Sequence, residues 1–225
     1  MVRDEEERYR KERERLVRRL KLSGYIKTRS VEEAFLSIPR EVFIPDNLKR
    51  SAYEDTPLPI GHMQTISAPS MIAIMLEALE LERGHKVLEI GAGSGYHAAL
   101  VAHIVGPEGH VYTIERIGEL AEFARDNIRR VGLQDRVTVI VGDGSGGYKE
   151  RAPYHRIYLT CAAPNVPRHM LDQVFDGGII LAPVGRSHWW QDLIRLRKLR
   201  GNDTEEENLG GCVFVPMIGK YGFRG

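Results

Sequence analysis

The chain lacks the features that mark several large protein classes. Its 225 residues include two cysteines, Cys161 and Cys212, too few for a disulfide framework and suited to a reducing compartment. The eight histidines form no HExxH pattern and no Cys/His cluster, so no metal centre is expected. No apolar run approaches the ~20 residues that cross a bilayer. The charged N-terminal stretch is not expected to act as a secretory signal. A dominant charge is missing too: 32 basic against 31 acidic residues leave a formal net charge of +1. That balance argues against strong binding to nucleic acid or to a membrane surface. There is no internal repeat and no low-complexity tract. What is present is a hydrophobic content of 42%, enough for a sizeable core in a single domain. A cytoplasmic monomer is the expectation.

The informative stretch is Val87-Leu88-Glu89-Ile90-Gly91-Ala92-Gly93-Ser94-Gly95-Tyr96. It reads as a buried strand, a glycine turn and a helix start, the ligand-binding unit of doubly wound α/β folds. A dinucleotide fingerprint needs a glycine at position 96, where Tyr96 stands. Glu89, two residues before the first glycine, would repel a pyrophosphate but suits a ligand with an ammonium group. The pattern therefore points to S-adenosylmethionine, whose methionine end is a zwitterion. Two later acids agree. Glu115 ends a strand 24 positions after Gly91, where such folds hold ribose hydroxyls. Asp143 ends the next strand, where an acid accepts from the exocyclic amine of adenine.

Taken in order, residues 4–22 read as a charged helix ended by Gly24. Ser30 reads as the N-cap of a short helix that Pro39 stops. Residues 40–68 carry Pro45, Pro57, Pro59 and Gly61 and promise little regular structure, so the segment is expected to cover a site. Ser67, judged locally, is the N-cap of a helix from Pro69 to Leu79. Strands at 86–90, 110–115, 137–142, 156–160 and 178–184 alternate with helices at 96–105, 117–131 and 167–175. Residues 192–200 alternate apolar and basic side chains as a half-exposed strand. Residues 201–209 read as an acidic turn and 212–216 as the last strand. The expected fold is a doubly wound, mostly parallel seven-stranded Rossmann-like sheet with an antiparallel C-terminal strand. Residues 1–68 would form the N-terminal helices and cover, and 69–225 the core.

Several blocks resemble the protein-L-isoaspartate O-methyltransferase family. They include Pro39-Arg40-x-x-Phe43-x-Pro45, Gln64-Thr65-Ile66-Ser67-Ala68-Pro69-x-Met71, Leu88-Glu89-Ile90-Gly91-x-Gly93-Ser94-Gly95-Tyr96, Gly142-Asp143-Gly144, Ala162-Ala163-Pro164 and Phe214-Val215-Pro216-x-Ile218-Gly219. The glycine motif is shared by many methyltransferases; the Thr-Ile-Ser-Ala-Pro block is the specific signature. The resemblance implies methyl transfer from S-adenosylmethionine to the α-carboxylate of isoaspartyl residues in damaged proteins and peptides. S-adenosyl-L-homocysteine is the product. The methyl ester then re-forms a succinimide, part of which reopens to normal aspartate. Ser67 matches the family's active-site serine. Gln64, Thr65, Ser67 itself, Glu89, Gly91, Gly93, Gly95, Glu115, Asp143 and Gly144 match its cofactor side. Ile66, Ala162, Ala163, Pro164 and Val215 match its substrate side.

The residues suit that chemistry. A carboxylate with a pKa near ~4 is already ionised at neutral pH, so no general base is needed and the lack of a Ser/His/Asp triad is expected. The chain departs from the family at Met63, usually a small residue, at Ser70, commonly histidine, and at His155, commonly aspartate. Trp189 and Trp190 read as edge or surface packing, and as a peptide contact if exposed. The rival readings are a methyltransferase with an RNA or small-molecule acceptor and a non-catalytic cofactor-binding module. Against an amino-methylating nucleic-acid enzyme, Thr160-Cys161-Ala162-Ala163-Pro164 replaces the expected Asn/Asp-Pro-Pro-Tyr/Phe motif.

Overall fold

The computed structural model describes residues 2–186, 190–201 and 203–224, with side chains from residue 4. Helix α1 (Val2–Leu22) carries ion pairs three and four residues apart on its solvent side, such as Arg10 with Glu7 and Glu14. Its Tyr9, Leu16, Val17 and Leu20 are buried. Helix α2 (Arg29–Ser37) begins at Thr28, not at Ser30. Thr28 Oγ1 accepts from the Val31 amide at 3.5 Å, and the distant Glu77 accepts the amides of Lys27 and Thr28. That tertiary carboxylate is invisible to a local capping rule.

Residues 40–68 are more ordered than their prolines suggest. Two 3₁₀ turns, 40–43 and 46–51, lead into a hairpin of β1 (Leu58–Gly61) and β2 (Gln64–Ile66). His62 and Met63 close it with φ of 51° and 56°, the positive values that two-residue hairpin turns require. Without an Asn-Gly or Asp-Gly signal the hairpin escapes a sequence reading. Helix α3 (Pro69–Ala78) follows. Its N-cap residue is Ala68, so the capping role expected of Ser67 is absent. Pro69 supplies a preset φ, and Asp55 accepts the Ser70 amide at 2.8 Å. At the other end, buried Arg156 donates to the carbonyls of Leu79 and Glu80.

The main sheet then builds outward from its middle. Strands β3 (Lys86–Ile90), β4 (His110–Glu115), β5 (Val137–Val141), β6 (Tyr154–Leu159) and β7 (Val174–Gly185) are parallel. Strands β8 (Gln191–Lys198) and β9 (Thr204–Cys212) add antiparallel to β7. The order is β5-β4-β3-β6-β7-β8-β9. Strand addition reverses direction between β3 and β6, the switch point where open α/β sheets bind ligands. Helices α4 (Tyr96–Val105) and α5 (Gly118–Arg130) pack with α1–α3 in one apolar cluster. A second cluster, around Tyr154, Ile157, Met170 and Ile180, backs the sheet elsewhere.

Three expectations near the C-terminus need correction. The helix expected at 167–175 is a 3₁₀ turn, 168–173, because buried Gln173 is held by the Gly146 carbonyl and the Tyr148 amide and β7 starts at the next residue. The acidic turn at 201–209 is largely strand β9. Glu205 and Glu207 stand opposite Arg197 and Arg195 of β8, with Arg195 ion-paired to Glu207, while Glu206 pairs with Arg168, so charge pairing accommodates them. The strand expected at 212–216 is instead an extended segment. Buried Gln191 grips it, accepting the Phe214 amide at 2.7 Å. Trp190 is 70% exposed and lies over Gly211, while Trp189 falls outside the described residues.

Among the departures, Ser70 is the capped residue of α3. His155 stacks on His85 at 4.7 Å and accepts the Lys86 amide at the amino end of β3, away from the strands' carboxyl edge. Met63, 95% exposed in left-handed backbone, carries a steric cost that glycine would not. Met63→Gly is expected to raise stability by up to about 1 kcal/mol, net of the greater chain entropy of glycine, measured by denaturant unfolding.

Candidate active site

At the carboxyl edge of β3 the chain turns through Gly91-Ala92-Gly93-Ser94-Gly95 into α4. Gly91 has φ 100°, and a Cβ there would overlap the Thr160 side chain. Gly95 is the left-handed N-cap of α4 and lies against Ala124 of α5. The amides of Tyr96, His97 and Ala98 have no acceptor among the described residues, as expected at a helix start. Beside them lies a cleft with about 820 Å³ of space free of protein atoms, part of it open to solvent.

The carboxylates of this edge are each fixed. Glu89 is fully buried. Its Oε2 accepts from Thr113 of β4 and its Oε1 accepts from Tyr158 of β6 at 2.8 Å. Burial pushes its carboxyl up to about 8, against the opposing effect of the two hydroxyls. Glu115 Oε2 accepts the Gly93 amide at 2.9 Å and its Oε1 the Ile117 amide at 3.0 Å, tying the end of β4 to the glycine turn. Asp143 turns the other way and accepts the amides of Ser145 and Lys220, both at 2.8 Å. Partial burial raises its carboxyl, but those amides outweigh it and hold the group below its ordinary value.

The β1–β2 hairpin brings Gln64, Thr65, Ile66 and Ser67 to the cleft, where they face Glu89, Gly91, Gly93, Glu115, Gly144 and Val215. Residues far apart in sequence thus meet at one cleft. Five expected residues do not line it: Gly95, Asp143, Ala162, Ala163 and Pro164. The first two support the lining from behind, as just described. Ala162 and Ala163 are buried, and their backbone groups are already used. Ala162 N–H donates to the Val215 carbonyl at 2.8 Å and its carbonyl accepts the Met217 amide. Ala163 N–H donates to Pro183 and its carbonyl accepts from Gly185. The backbone groups of Ala162 and Ala163 are thus engaged within the protein. The loop holds residues 215–217 against the cleft. Cys161 was expected near the site without an assigned role, and sequence reasoning missed Thr160 and His97. Thr160 and Cys161 follow strand β6 at the switch-point edge, a usable signal. His97 is a buried residue of the first turn of α4, and burial pulls its imidazole down to about 3, so it is neutral; nothing local marks it.

A glycine-walled cleft with one sealed acid, free helix-start amides and a mixed apolar lining fits the cofactor that the sequence suggests, a zwitterion joined to a purine nucleoside. The family model described as protein-L-isoaspartate(D-aspartate) O-methyltransferase matches residues 11–222. The chain belongs to this family. The protein-L-isoaspartate O-methyltransferase of Hyperthermus butylicus is 54% identical over 98% of this chain and 94% of its own length. That of Ignicoccus hospitalis is 56% identical over 90% of this chain and 95% of its own. A solved protein-L-isoaspartate O-methyltransferase is 31% identical, with a TM-score of 0.83 over 93% of this chain and 67% of that one. A Plasmodium falciparum structure described under the same activity, in complex with S-adenosyl-L-homocysteine, is 25% identical, with a TM-score of 0.80 over 90% of this chain and 96% of that one. The seven-stranded sheet and the dependence on S-adenosylmethionine accord with this protein-L-isoaspartate O-methyltransferase family.

Glu89 gives the family fold a measurable signature here. Its folded pKa lies above its unfolded value, so the folded state binds its proton more tightly. The stability of the cofactor-free protein should therefore fall as pH rises from about 4.5 towards 8. Glu89→Gln is expected to remove a loss on the order of a few kcal/mol across that window, read as a flatter dependence of the denaturation midpoint on pH.

Proposed function

We propose a division of labour for the reaction that this family carries out, transfer of a methyl group from S-adenosylmethionine to an isoaspartyl α-carboxylate in damaged proteins and peptides. When bound, the cofactor supplies an electrophilic methyl group on a sulfonium. Gly91, Gly93 and Gly144 give it bare backbone to lie against. Glu89 balances its ammonium group, and Glu115 uses its remaining lone pairs for the ribose hydroxyls. Asp143 acts one step removed, anchoring the 217–221 loop beside Gly144.

Ser67 hydrogen-bonds and orients the acceptor carboxylate, and forms no covalent intermediate. The observation that carries this role is that Ser67 lines the cleft opposite the glycine turn while the cap of α3 is supplied elsewhere. Gln64, Thr65, Ile66 and Val215 complete the wall and exclude water. Dryness matters because an anion and a cation both vanish in the reaction, and water favours the separated charges. In-line alignment of carboxylate oxygen, methyl and sulfur supplies much of the rest. No residue need remove a proton. Residues 1–68 serve as cover and 69–225 as catalytic core.

The near-neutral charge supports a protein acceptor without nucleic acid or membrane partners, and the two buried free thiols support a cytoplasmic setting. Among the described residues no helix is long and apolar enough to cross a membrane. Elution as a 25.5 kDa species in size-exclusion chromatography with light scattering would support a monomer; a doubled mass would refute it.

Labelled cofactor offered with two peptides differing only in isoaspartyl versus aspartyl should label the first alone. Labelling of both, or of neither while cofactor binds, would overturn the acceptor assignment. Ser67→Ala is expected to lower kcat roughly 100-fold, in the range of a lost orienting or oxyanion donor. Its cofactor dissociation constant should stay within about twofold, measured by calorimetry.

A further inference from the structure

Behind Ser67 lies a charge that the reading above does not use. Arg40 opens the first 3₁₀ turn after α2 and is 0% exposed. Its Nη2 donates to the Ser67 carbonyl at 2.9 Å, and this is its one hydrogen bond among the described residues. Its Nε and Nη1 are sealed from water without acceptors. The guanidinium carbon sits 5.1 Å from the centroid of the Tyr96 ring, and Tyr96 itself lines the cleft. No ion pair to Arg40 occurs among the described residues. Asp55, whose field Arg40 feels, is engaged with the Ser70 amide at the start of α3. Tyr53, also nearby, is bonded to Glu41.

A guanidinium stripped of water, short of acceptors and without a contacting carboxylate is among the costliest groups to bury. Packing alone would be met by a neutral side chain of similar length. The cost falls when an anion is placed close by in the same low-dielectric surroundings, where charges act over several ångströms. The group on Arg40's single hydrogen bond, Ser67, is the one assigned above to an anionic acceptor.

We infer that Arg40 is a positioning and specificity residue for the methyl transfer: it fixes Ser67 through its carbonyl and supplies a buried positive charge, with no contacting carboxylate, that draws the acceptor carboxylate to Ser67. This rests on the reading of Ser67 as the group that orients the acceptor. Because the carboxylate loses its charge on methylation, the attraction acts on the substrate and fades in the transition state and product. Arg40 thus strengthens capture of the anion without speeding the chemical step, and the neutral ester leaves more easily than the acid.

The test compares Arg40→Gln, which keeps an N–H for the Ser67 carbonyl and deletes the charge, with Arg40→Lys, which keeps the charge. Neutral S-adenosylhomocysteine is the control ligand for an intact cleft. Arg40→Gln is expected to raise KM for an isoaspartyl peptide roughly tenfold, with kcat unchanged or raised as the ground-state attraction is lost, and S-adenosylhomocysteine affinity unchanged. Arg40→Lys should recover most of the KM. An unchanged KM in Arg40→Gln, a loss confined to kcat, or no recovery with lysine would overturn the inference. If Arg40→Gln fails to bind S-adenosylhomocysteine, the unaltered protein saturated with that ligand decides. An isoaspartyl peptide should bind it at least about tenfold more tightly than the same peptide with an α-carboxamide, and equal binding would overturn the inference. Ser67→Ala run alongside separates the two readings. Full turnover in Ser67→Ala removes the Ser67 role and this inference with it. Lost turnover there with an unchanged Arg40→Gln KM removes the Arg40 inference alone.

Discussion

A carboxylate sealed from water between two strands sets the geometry of the whole site. Glu89 takes one hydroxyl from β4 and another from β6, so it joins the three central strands at the level where the glycine turn leaves β3. From that junction Glu115 reaches back to the Gly93 amide, and the ends of β3 and β4 become a single rigid edge. Burial makes the proton on Glu89 hard to remove, so an apolar ligand would leave the group neutral and unused. A ligand that brings a positive charge makes its ionised form worth having, and discrimination is built into the strand before any side chain of the loop is considered.

The N-terminal third is organised around the same edge. Helices α1 and α2 share their apolar cluster with α3–α5, and the chain between them and β3 is stitched to the core by long-range polar contacts. Glu77 caps α2, Asp55 caps α3, and Arg40 holds the carbonyl of Ser67. Each places a charged group at a backbone site that a neutral local residue would normally serve. The result is a hairpin and a short connector held over the cleft by these contacts together with the burial of Leu58, Ile60 and Ile66 in the core.

How much of this was legible depended on whether the cause was local. The alternation from 86 to 159 was readable because each strand and helix carries its own period, and its element ends differ by at most two residues from those expected. The glycine turn, Glu89 and Glu115 were readable because the fold class itself dictates what those positions meet. The misreadings had distant causes. Thr28 displaced Ser30 as a cap because of Glu77, forty-nine residues away. The glutamates of β9 look like a turn until the arginines of β8 are set beside them. That residues 183–185 and 215–217 take up the backbone groups of Ala162 and Ala163 was likewise out of local reach. Arg40 stood within a matched block, yet its burial was unreadable, because nothing about an arginine before a 3₁₀ turn announces a guanidinium without water.

The outer strand of the sheet has a bearing on the company this protein keeps. Chains that have accumulated isoaspartate are often partly unfolded, and their exposed segments add readily to any free sheet edge. Strand β9 offers such an edge but clothes it in Glu205, Glu206 and Glu207, all exposed, with Arg195 and Arg168 tying two of them in place. A row of anchored like charges makes a poor template for another strand. The protein can therefore work among sticky, damaged chains with its flank guarded against co-aggregation.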